Sequence, residues 1–266
     1  MGRTTKIDWC DSTWNPVTGC LHGCEYCYAR KMAERFAMPN NTKQTPAVIN
    51  EDLRQLAEGA TLPEFSVPYH RYGRVQPYPH GFTPTFHRYK LNEPQHWKKP
   101  RTIFVCSMAD LFGEWVPDSW IEEVFAACEN ASQHRYLFLT KNPNRYIELD
   151  KKGKLPRQHW YGYSATQEDQ LWQFHHADAC PCINLFVSIE PILEPMQPCF
   201  STHTPADWVI IGAETGRRKD KIVPEKKWID NILMECKYSG RPIFMKKSLR
   251  KIMGKDFIQE FPWEVK

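Results

Sequence analysis

Three cysteines stand close together near the start of the chain, in the stretch "NPVTGCLHGCEYCYARK". Cys20, Cys24 and Cys27 follow the spacing C-x3-C-x2-C, and the aromatic Tyr26 precedes the third cysteine. In a reducing compartment, thiols grouped in this way typically bind metal. A structural zinc site normally has four protein ligands, and so does a ferredoxin-type iron-sulfur cluster. Three thiolates would leave one iron of such a cluster open to a ligand that is not protein.

Six short apolar runs downstream must supply the scaffold for this loop. Most are continuous rather than alternating, which is typical of parallel strands buried on both faces. The runs are "TIFVCS" from Thr102, "RYLFLT" from Arg135, "HWYGYS" from His159, "NLFVSIE" from Asn184, "DWVIIGAE" from Asp207 and "RPIFMKK" from Arg241. Helical patterns lie between them, so the sequence predicts βα units, with a further short strand at residues 7–9 before the cysteines.

These units predict an α/β fold, a partial barrel of the (β/α)6 type with a seventh strand as an option. No linker is evident, so we expect a single domain over residues 1–266, and 41% hydrophobic residues suit a globular protein. No stretch approaches the ~18 apolar residues of a membrane span. The start, "MGRTTKIDWC", lacks the apolar segment of a secretory signal. We therefore expect a cytoplasmic protein without a membrane partner.

Polar residues recur where the predicted strands end, which is where a parallel barrel carries its chemistry. They follow five of the runs: Ser107, Asp110, Thr140, Lys141, Ser164, Thr166, Glu190 and Glu214. Each Asp, Ser or Thr among them could simply cap the following helix. Lys141 and Glu190 are poor caps, so we expect these two side chains to point toward the mouth of the barrel.

The octapeptide "CLHGCEYC" resembles the cluster loop of the radical S-adenosylmethionine (SAM) superfamily. The resemblance implies that Cys20, Cys24 and Cys27 hold a four-iron four-sulfur cluster, and that the amino and carboxyl groups of SAM chelate the remaining iron. In that superfamily, an external one-electron donor reduces the cluster. The cofactor is then cleaved to methionine and a 5′-deoxyadenosyl radical, which abstracts hydrogen from a substrate. The fold is usually a partial barrel in which the cluster loop follows the first strand.

A narrower resemblance covers nearly the whole chain. Six blocks carry it in order: "WNPVTGC", "CYARKMAERF", "HWKKPRTIFVCSMADLFGEWVP", "LFLTKNPNR", "FVSIEPILEP" and "DWVIIGAETG". They resemble a phage-associated three-cysteine-motif family without an assigned function, which is itself similar to the spore photoproduct lyase branch of radical SAM enzymes. The blocks identify relatives and leave the substrate open.

The resemblance also implies cofactor-binding roles for residues outside the cysteine motif. Tyr26 matches the aromatic residue whose backbone usually contacts the adenine. Asp110, with Ser107 beside it, takes the place of the group that holds the cofactor's amino group, where a carboxylate suits an ammonium. The other implied contacts are Lys141 for the cofactor carboxylate or a substrate phosphate, Ser164 for the ribose or carboxylate, and Glu190 and Gly212 near the adenosine.

The remaining cysteines fall into three groups: Cys106, Cys128 and Cys236 in apolar runs, Cys180, Cys182 and Cys199 around a "CPC" motif, and Cys10 alone. The first group is expected to be small core residues. The second could form an auxiliary cluster or metal site, although no fourth ligand is obvious. If Cys10 or His22 supplied a fourth ligand to the cysteine loop, that site would be closed and structural.

An insert at about residues 38–101 separates the cysteine loop from the next strand, and its second half, the basic aromatic segment (residues 69–101), has a net charge of +6. Its cations and aromatic rings are Arg71, Arg74, Arg88, Lys90, Lys98, Lys99, Arg101, Tyr69, Tyr72, Tyr78, Phe82, Phe86, Tyr89 and Trp97. Cations for phosphates interleaved with rings for bases are typical of proteins that bind single-stranded nucleic acid. The same composition would also suit a Pro-rich lid whose rings pack on the barrel and whose charges face water.

Three hypotheses follow from these features. The first is a radical SAM enzyme that modifies or repairs a nucleic acid or nucleotide bound by the basic aromatic segment. The second is a zinc or iron-sulfur protein that binds nucleic acid without catalysis and uses Cys10 or His22 as its fourth ligand. The third is a radical SAM enzyme that acts on a peptide or small molecule.

Overall fold

The computed structural model describes residues 5–37, 43–172, 184–200, 204–216 and 218–264. The chain divides into two compact units. The first consists mainly of Cys10–Tyr136, and the second of Lys6–Trp9 together with Leu137–Lys266.

The first unit contains the cysteine motif and the insert. Its elements are β1 (Ser12–Trp14), β2 (Val17–Thr18), α1 (Tyr28–Phe36), α2 (Pro46–Ala57), β3 (Glu64–Phe65), β4 (His70–Arg71), β5 (Arg74–Val75), β6 (Thr85–His87), β7 (Thr102–Val105) and α3 (Asp118–Glu129). Short 3-10 helices lie at Arg88–Lys90 and Pro94–His96. Strand β8 (Arg135–Thr140) begins in this unit and ends in the second.

The second unit contains most of the strands of the main sheet. Its elements are α4 (Asn144–Lys151), β9 (Trp160–Ala165), α5 (Glu168–Trp172), β10 (Asn184–Ile189), β11 (Trp208–Ile211), α6 (Lys226–Ser239), β12 (Ile243–Met245) and α7 (Arg250–Met253). Two further 3-10 helices lie at Lys247–Leu249 and Gly254–Asp256. Over the described ranges, α6 is the longest helix at 14 residues, and no helix has the length and apolar character needed to cross a membrane.

Seven strands form the main sheet in the order β1-β7-β8-β9-β10-β11-β12, and the pairings within each unit are parallel. Successive strands are therefore neighbours, with helices in the connections, which is the topology of a partial (β/α) barrel. The predicted fold class is confirmed, and the optional seventh strand is present.

Three strands of the main sheet are buried along their whole length, as their continuous apolar runs predicted. All residues of β7, β11 and β12 are buried. In the second unit, the fully buried indole of Trp208 packs against the rings of Phe186 and Phe244 at centroid distances of 5.7 and 6.2 Å. Burial of one large aromatic side chain contributes about 2–3 kcal/mol to folding, so these rings are major contributors to the stability of this unit.

The first strand lies later in the chain than predicted. Residues 7–9 form no strand, and β1 is instead Ser12–Trp14, which pairs with β7 through Ser12↔Ile103 and Trp14↔Val105. Trp9 is buried in the aromatic cluster of the second unit, 6.3 Å from Trp208, so its apolar character reflects packing and not strand pairing. The prediction of a strand at residues 7–9 was therefore wrong.

The insert carries a second, smaller sheet with the order β2-β6-β3. Strand β6 pairs antiparallel with β2, which comes just before the cysteines, and parallel with β3. Thr18 Oγ1 and His87 Nε2 lie 2.8 Å apart, so a side-chain hydrogen bond joins β2 to β6. The end of the insert is thus fixed beside the start of the cysteine loop.

Candidate cluster and cofactor site

The cysteine loop (residues 19–27) begins at a glycine that no other residue could replace without strain. Gly19 has φ +90°, and a Cβ there would lie 2.4 Å from the carbonyl oxygen of Thr83. Its amide donates a hydrogen bond to the carbonyl of Met108 (2.8 Å), and the next amide, that of Cys20, donates to the carbonyl of Phe82 (3.0 Å). The backbone entering the first cysteine is therefore held from two directions.

The three thiols of the motif are free and partly buried. Cys27 is the N-cap of α1, where its Sγ accepts a hydrogen bond from the amide of Arg30 (3.3 Å). Cys20 and Cys27 also pack against a small apolar cluster of Ala29, Ala33, Phe82 and Met108. Two of the three cysteines of the loop thus pack on apolar side chains.

The electrostatic environment keeps two of these thiols protonated in the metal-free chain. Burial raises the pKa of the Cys20 thiol well above its usual value, and the Asp110 carboxylate and the sulfurs of Cys24 and Cys27 raise it further. A hydrogen bond from the amide of His22 opposes this rise. Burial also raises the pKa of Cys27. A metal that takes up these sulfurs as thiolates must therefore release protons.

Asp110 lies directly against the cysteine loop. Its side chain is buried, and its Oδ2 accepts a hydrogen bond from Nε2 of His22 at 2.7 Å while its Oδ1 accepts one from the amide of Phe112 at 3.0 Å. His22 stands between the first two cysteines of the motif, and its ring packs edge-on against Trp115 at 4.8 Å. The structure therefore brings Asp110 to the cysteines, as the resemblance implied, and adds a histidine partner.

Residues on either side of the cysteine loop also form hydrogen bonds with the Asp110 loop (residues 106–112). The Tyr28 hydroxyl donates to the backbone carbonyl of Ser107 at 2.7 Å. The Asn15 side-chain oxygen accepts from the Ser107 hydroxyl at 3.2 Å and from the Met108 amide at 2.9 Å. The predicted cofactor contact Ser107 thus has a hydroxyl that already helps to hold its own loop.

The Asp110 loop leaves β7 through a strained residue. Cys106 has φ +57° and is buried, with its amide bonded to the carbonyl of Trp14 at 2.8 Å. A left-handed conformation costs a residue other than glycine about 1–2 kcal/mol, and it persists only where the surroundings enforce it. Burial raises the pKa of the Cys106 thiol to about 12, so the group is an inert core thiol. Cys128 and Cys236 are buried as well, so the prediction of core cysteines is confirmed.

The second unit carries the other predicted cofactor residues at one edge of its strands. Parallel strands place their carboxyl ends at the same edge of a sheet, and the register pairs Ser164 with Ser188 and Ile189 with Ile211. The predicted residues lie at or just after these ends: Lys141 after β8, Ser164 in β9, Glu190 after β10 and Gly212 after β11.

Glu190 and Gly212 meet at this edge, together with a lysine that sequence reasoning missed. Lys246, directly after β12, forms an ion pair with Glu190. A Cβ at Gly212 would lie 3.1 Å from both Glu190 Oε1 and the Lys246 side chain, so the glycine leaves room for the pair. The sequence did contain a signal for Lys246, because this lysine directly follows β12 just as Glu190 directly follows β10.

Three other residues near the site were not assigned these roles from the sequence. Asn15 follows β1 directly, but the first strand was expected at residues 7–9, so its strand-end position was not recognised. Tyr28 lies beyond the third cysteine, and His22 was considered only as a metal ligand. The contacts of these side chains join residues 79 to 93 positions apart, which no local pattern reveals.

The remaining cysteine predictions have mixed outcomes. Over the residues that the structure describes, no group of three or more His, Cys, Asp or Glu side chains is arranged around a single metal ion. His22 directs its Nε2 to Asp110. Cys10 and Cys199 are partly buried, whereas Cys180 and Cys182 lie outside the described residues.

Two solved structures of spore photoproduct lyase share this fold. One is a cysteine-to-serine mutant and the other is complexed with dinucleoside spore photoproduct. Each superposes with a TM-score of 0.51 at 10% sequence identity, over 92% of this chain and 79% of the lyase chain. The chain is therefore an α/β protein with the fold of that lyase.

The sequence itself places the chain in a family. Residues 4–253 match the family described as "Protein of unknown function (DUF5131)", and the chain belongs to that family. No curated protein matches the sequence.

Proposed function

We propose that this protein is a radical SAM enzyme that acts on nucleic acid or a nucleotide, with Cys20, Cys24 and Cys27 as ligands of a four-iron four-sulfur cluster. One observation carries the proposal: three free thiols lie on one loop, and hydrogen bonds from Gly19 and His22 of that loop join it to the loop that presents Asp110. The fold shared with spore photoproduct lyase supports the same reading.

The donor set fits such a cluster better than a single metal ion. A zinc ion draws its four ligands to one point, with sulfur at about 2.3 Å, whereas each thiolate of a four-iron cluster binds a different iron. The sulfurs of the loop act on one another's pKa without converging in this way. With His22 hydrogen-bonded to Asp110, the motif offers three ligands.

The protein's own residues have distinct tasks in this proposal. Amide groups of His22 and Arg30 donate to the sulfurs of Cys20 and Cys27, and such hydrogen bonds tune the reduction potential of a bound cluster. The Asp110 carboxylate is the proposed partner of the cofactor's ammonium group. When bound, the cluster and SAM supply a 5′-deoxyadenosyl radical, with the electron provided by an external donor.

The other cofactor contacts stand as part of the same proposal. Tyr26 would meet the adenine through its backbone, and Ser107 would assist Asp110. Lys141, Ser164, Glu190 and Gly212 are proposed for the carboxylate, ribose and adenosine. Because Lys246 is paired with Glu190, removal of the lysine should alter any contact that Glu190 makes.

The choice of nucleic acid as substrate rests on charge and composition. No Asp or Glu occurs between Glu64 and Glu93, a stretch that contains four Arg or Lys and seven Tyr or Phe. Where such cations and rings are exposed, the cations attract phosphates and the rings stack on bases. The solved complex of spore photoproduct lyase with a dinucleoside photoproduct supports this choice by analogy.

Anaerobic purification and reconstitution, followed by iron and sulfide analysis, tests the cluster assignment. We expect about four iron and four sulfide per chain, and loss of both in Cys24→Ala. Cys128→Ala, which changes a buried core cysteine, is the matched control and should retain the metal. The variant Cys10→Ser should retain it too. Loss of iron in Cys10→Ser would instead indicate a closed four-thiolate site.

Cofactor cleavage tests the enzymatic part of the proposal. The reconstituted protein should release 5′-deoxyadenosine from SAM after reduction with dithionite, and Cys24→Ala should release none. A protein that holds its cluster but leaves SAM intact under these conditions would contradict the proposed activity.

A further inference from the structure

The basic aromatic segment has two parts with different roles. In the later part, Phe82 and Phe86 are buried, and the Arg88 guanidinium is held by the carboxylates of Glu64 and Glu123. Arg101 Nη1 donates to the Ser12 hydroxyl at 2.8 Å. These cations and rings stabilise the fold of the insert.

The earlier part is a short hairpin (residues 70–75) formed by β4 and β5. His70 pairs with Val75, and Arg71 pairs with Arg74. Below these pairs, the Gln76 amide donates to the Tyr69 carbonyl at 2.9 Å. The Tyr69 ring contacts Phe65 of β3 at a centroid distance of 6.0 Å. The base of the hairpin is thus anchored to the small sheet.

The tip of the hairpin is a two-residue turn with an exposed tyrosine. Tyr72 and Gly73 both have positive φ, at +48° and +70°. Turns of this kind favour Asn-Gly, because a bulky residue in the left-handed region is strained. The Tyr72 side chain is nevertheless 88% exposed, the highest value among the large hydrophobic side chains that the structure describes as exposed. Neither burial nor turn preference explains a tyrosine here.

The charges of the hairpin are also unfavourable in isolation. Arg71 and Arg74 are directly opposite one another across the two strands, and like charges in this position destabilise a hairpin. The Arg71 guanidinium lies 5.1 Å from the centroid of the Tyr72 ring, so cation and ring form one surface. Local choices that oppose stability are expected at functional sites, where a ligand offsets their cost.

We infer that the hairpin is a contact site for single-stranded nucleic acid, in which the Tyr72 ring stacks on an unpaired base and Arg71 and Arg74 bind the flanking phosphates. A phosphate beside the two arginines would add a favourable charge interaction, and a base would cover the exposed ring. An acidic peptide would pair with the arginines but would not supply a flat base to stack on the Tyr72 ring. The inference deepens the proposed function and rests on it for the identity of the substrate.

The decisive variant keeps the turn while removing the ring. Tyr72→Asn introduces the residue that this turn prefers, so a loss of binding cannot come from a damaged hairpin. Tyr72→Phe keeps the ring and should bind like the wild type. Arg71→Gln combined with Arg74→Gln removes the phosphate contacts. The control Tyr238→Ala removes a tyrosine that is 82% exposed on α6, and Lys237→Gln with Lys251→Gln removes two surface charges of the second unit.

Fluorescence anisotropy with labelled single-stranded oligonucleotides of mixed sequence, as DNA and as RNA, measures the effect on the full-length protein. We expect Tyr72→Asn to weaken binding of at least one of the two by about 5- to 100-fold, the range for loss of one base stack. The double arginine variant should weaken binding and reduce the slope of log K against log salt by about 2. Both controls should match the wild type.

Several results of these binding experiments would overturn the assignment of the hairpin. Wild-type affinity in Tyr72→Asn, an unchanged salt slope in the arginine variant, or binding of duplex as tight as that of single strands would overturn the inference. Absence of oligonucleotide binding by the wild type would overturn it as well. SAM cleavage without substrate tests the proposed function separately. If the protein cleaves SAM and Tyr72→Asn binds oligonucleotides as tightly as the wild type, only the hairpin assignment is refuted.

Discussion

The cysteine loop and the hairpin differ in how their polar groups are used. In the cysteine loop, each polar group of His22 and Asp110 described above has a partner, and the backbone is bonded at Gly19 and Cys20. At the hairpin tip, Tyr72 is almost fully exposed beside two opposed arginines. The first region is preorganised, which suits a cofactor that must be held in one geometry. The second is open, which suits a long and variable ligand.

The largest effect on stability is expected at Gly19, where the backbone of the cysteine loop is most closely packed. Gly19→Ala should reduce the free energy of unfolding by roughly 2–5 kcal/mol, because the new Cβ meets the Thr83 carbonyl in addition to the unfavourable φ. Urea unfolding of the metal-free protein measures it. Gly59→Ala is the matched control, since its φ is +95° with nothing within 4 Å of a Cβ, and it should cost only about 1–2 kcal/mol. Equal losses in the two variants would show that the contact with Thr83 is unimportant.

A smaller effect is expected from the charge of Asp110 at the proposed cofactor site. Asp110→Asn keeps the size and an acceptor for the Phe112 amide but removes the negative charge, so SAM affinity should fall roughly 10- to 100-fold. Isothermal titration of the reconstituted protein measures this affinity. Asp118→Asn, at the start of α3, serves as the control and should bind SAM normally. Unchanged affinity in Asp110→Asn would remove this residue from the cofactor site.

His87, which is hydrogen-bonded to Thr18 within the small sheet, predicts a pH dependence of stability. Burial lowers the pKa of His87 to about 3, with Lys90 and His80 adding to the shift, so the folded protein keeps this ring neutral. The unfolded chain gains the proton near pH 6.5. Stability from this residue is therefore complete above pH 6.5 and falls by about 1.4 kcal/mol per pH unit between pH 6.5 and 3.

Unfolding curves across that pH range test the prediction. His87→Gln retains a hydrogen-bonding group for Thr18 but cannot titrate, so its stability should decline less steeply with acid. Parallel curves for the wild type and His87→Gln would show that His87 is protonated in the folded state as well.

The smallest effect is expected at the hairpin, where a substitution should stabilise the protein and not destabilise it. Tyr72→Asn should stabilise the protein by about 0.5–1 kcal/mol, because it relieves the strain of a bulky residue at positive φ. Thermal unfolding measures the change. A loss of stability would mean that the Tyr72 ring supports the fold, and the contrast between the two regions would then fail.

The sequence predicted what local patterns encode. Strands β7 to β12 were recognised because their apolar runs are continuous, and the cysteines because their spacing is specific. Strand β1 was misplaced because "STW" is short and partly polar, whereas Ile7 and Trp9 looked more strand-like, although Trp9 packs in an aromatic cluster.

Local patterns could not predict which residues far apart in the sequence would be in contact. The bond between His22 and Asp110 spans 88 residues, and that between Glu190 and Lys246 spans 56. The two parts of the basic aromatic segment also look alike in composition. Their difference depends on which rings are buried, as Phe86 is and Tyr72 is not, and that depends on the small sheet formed by β2, β6 and β3.

Deuterium transfer is the most direct test of the central claim, that a radical generated at the cysteine loop acts on nucleic acid. The reconstituted, reduced protein would be incubated with SAM and a deuterated single-stranded oligonucleotide, and 5′-deoxyadenosine would be analysed by mass spectrometry. The account predicts deuterium in the 5′-deoxyadenosine of the wild type and less of it in Tyr72→Asn. Release of 5′-deoxyadenosine without deuterium, from both DNA and RNA, would contradict it.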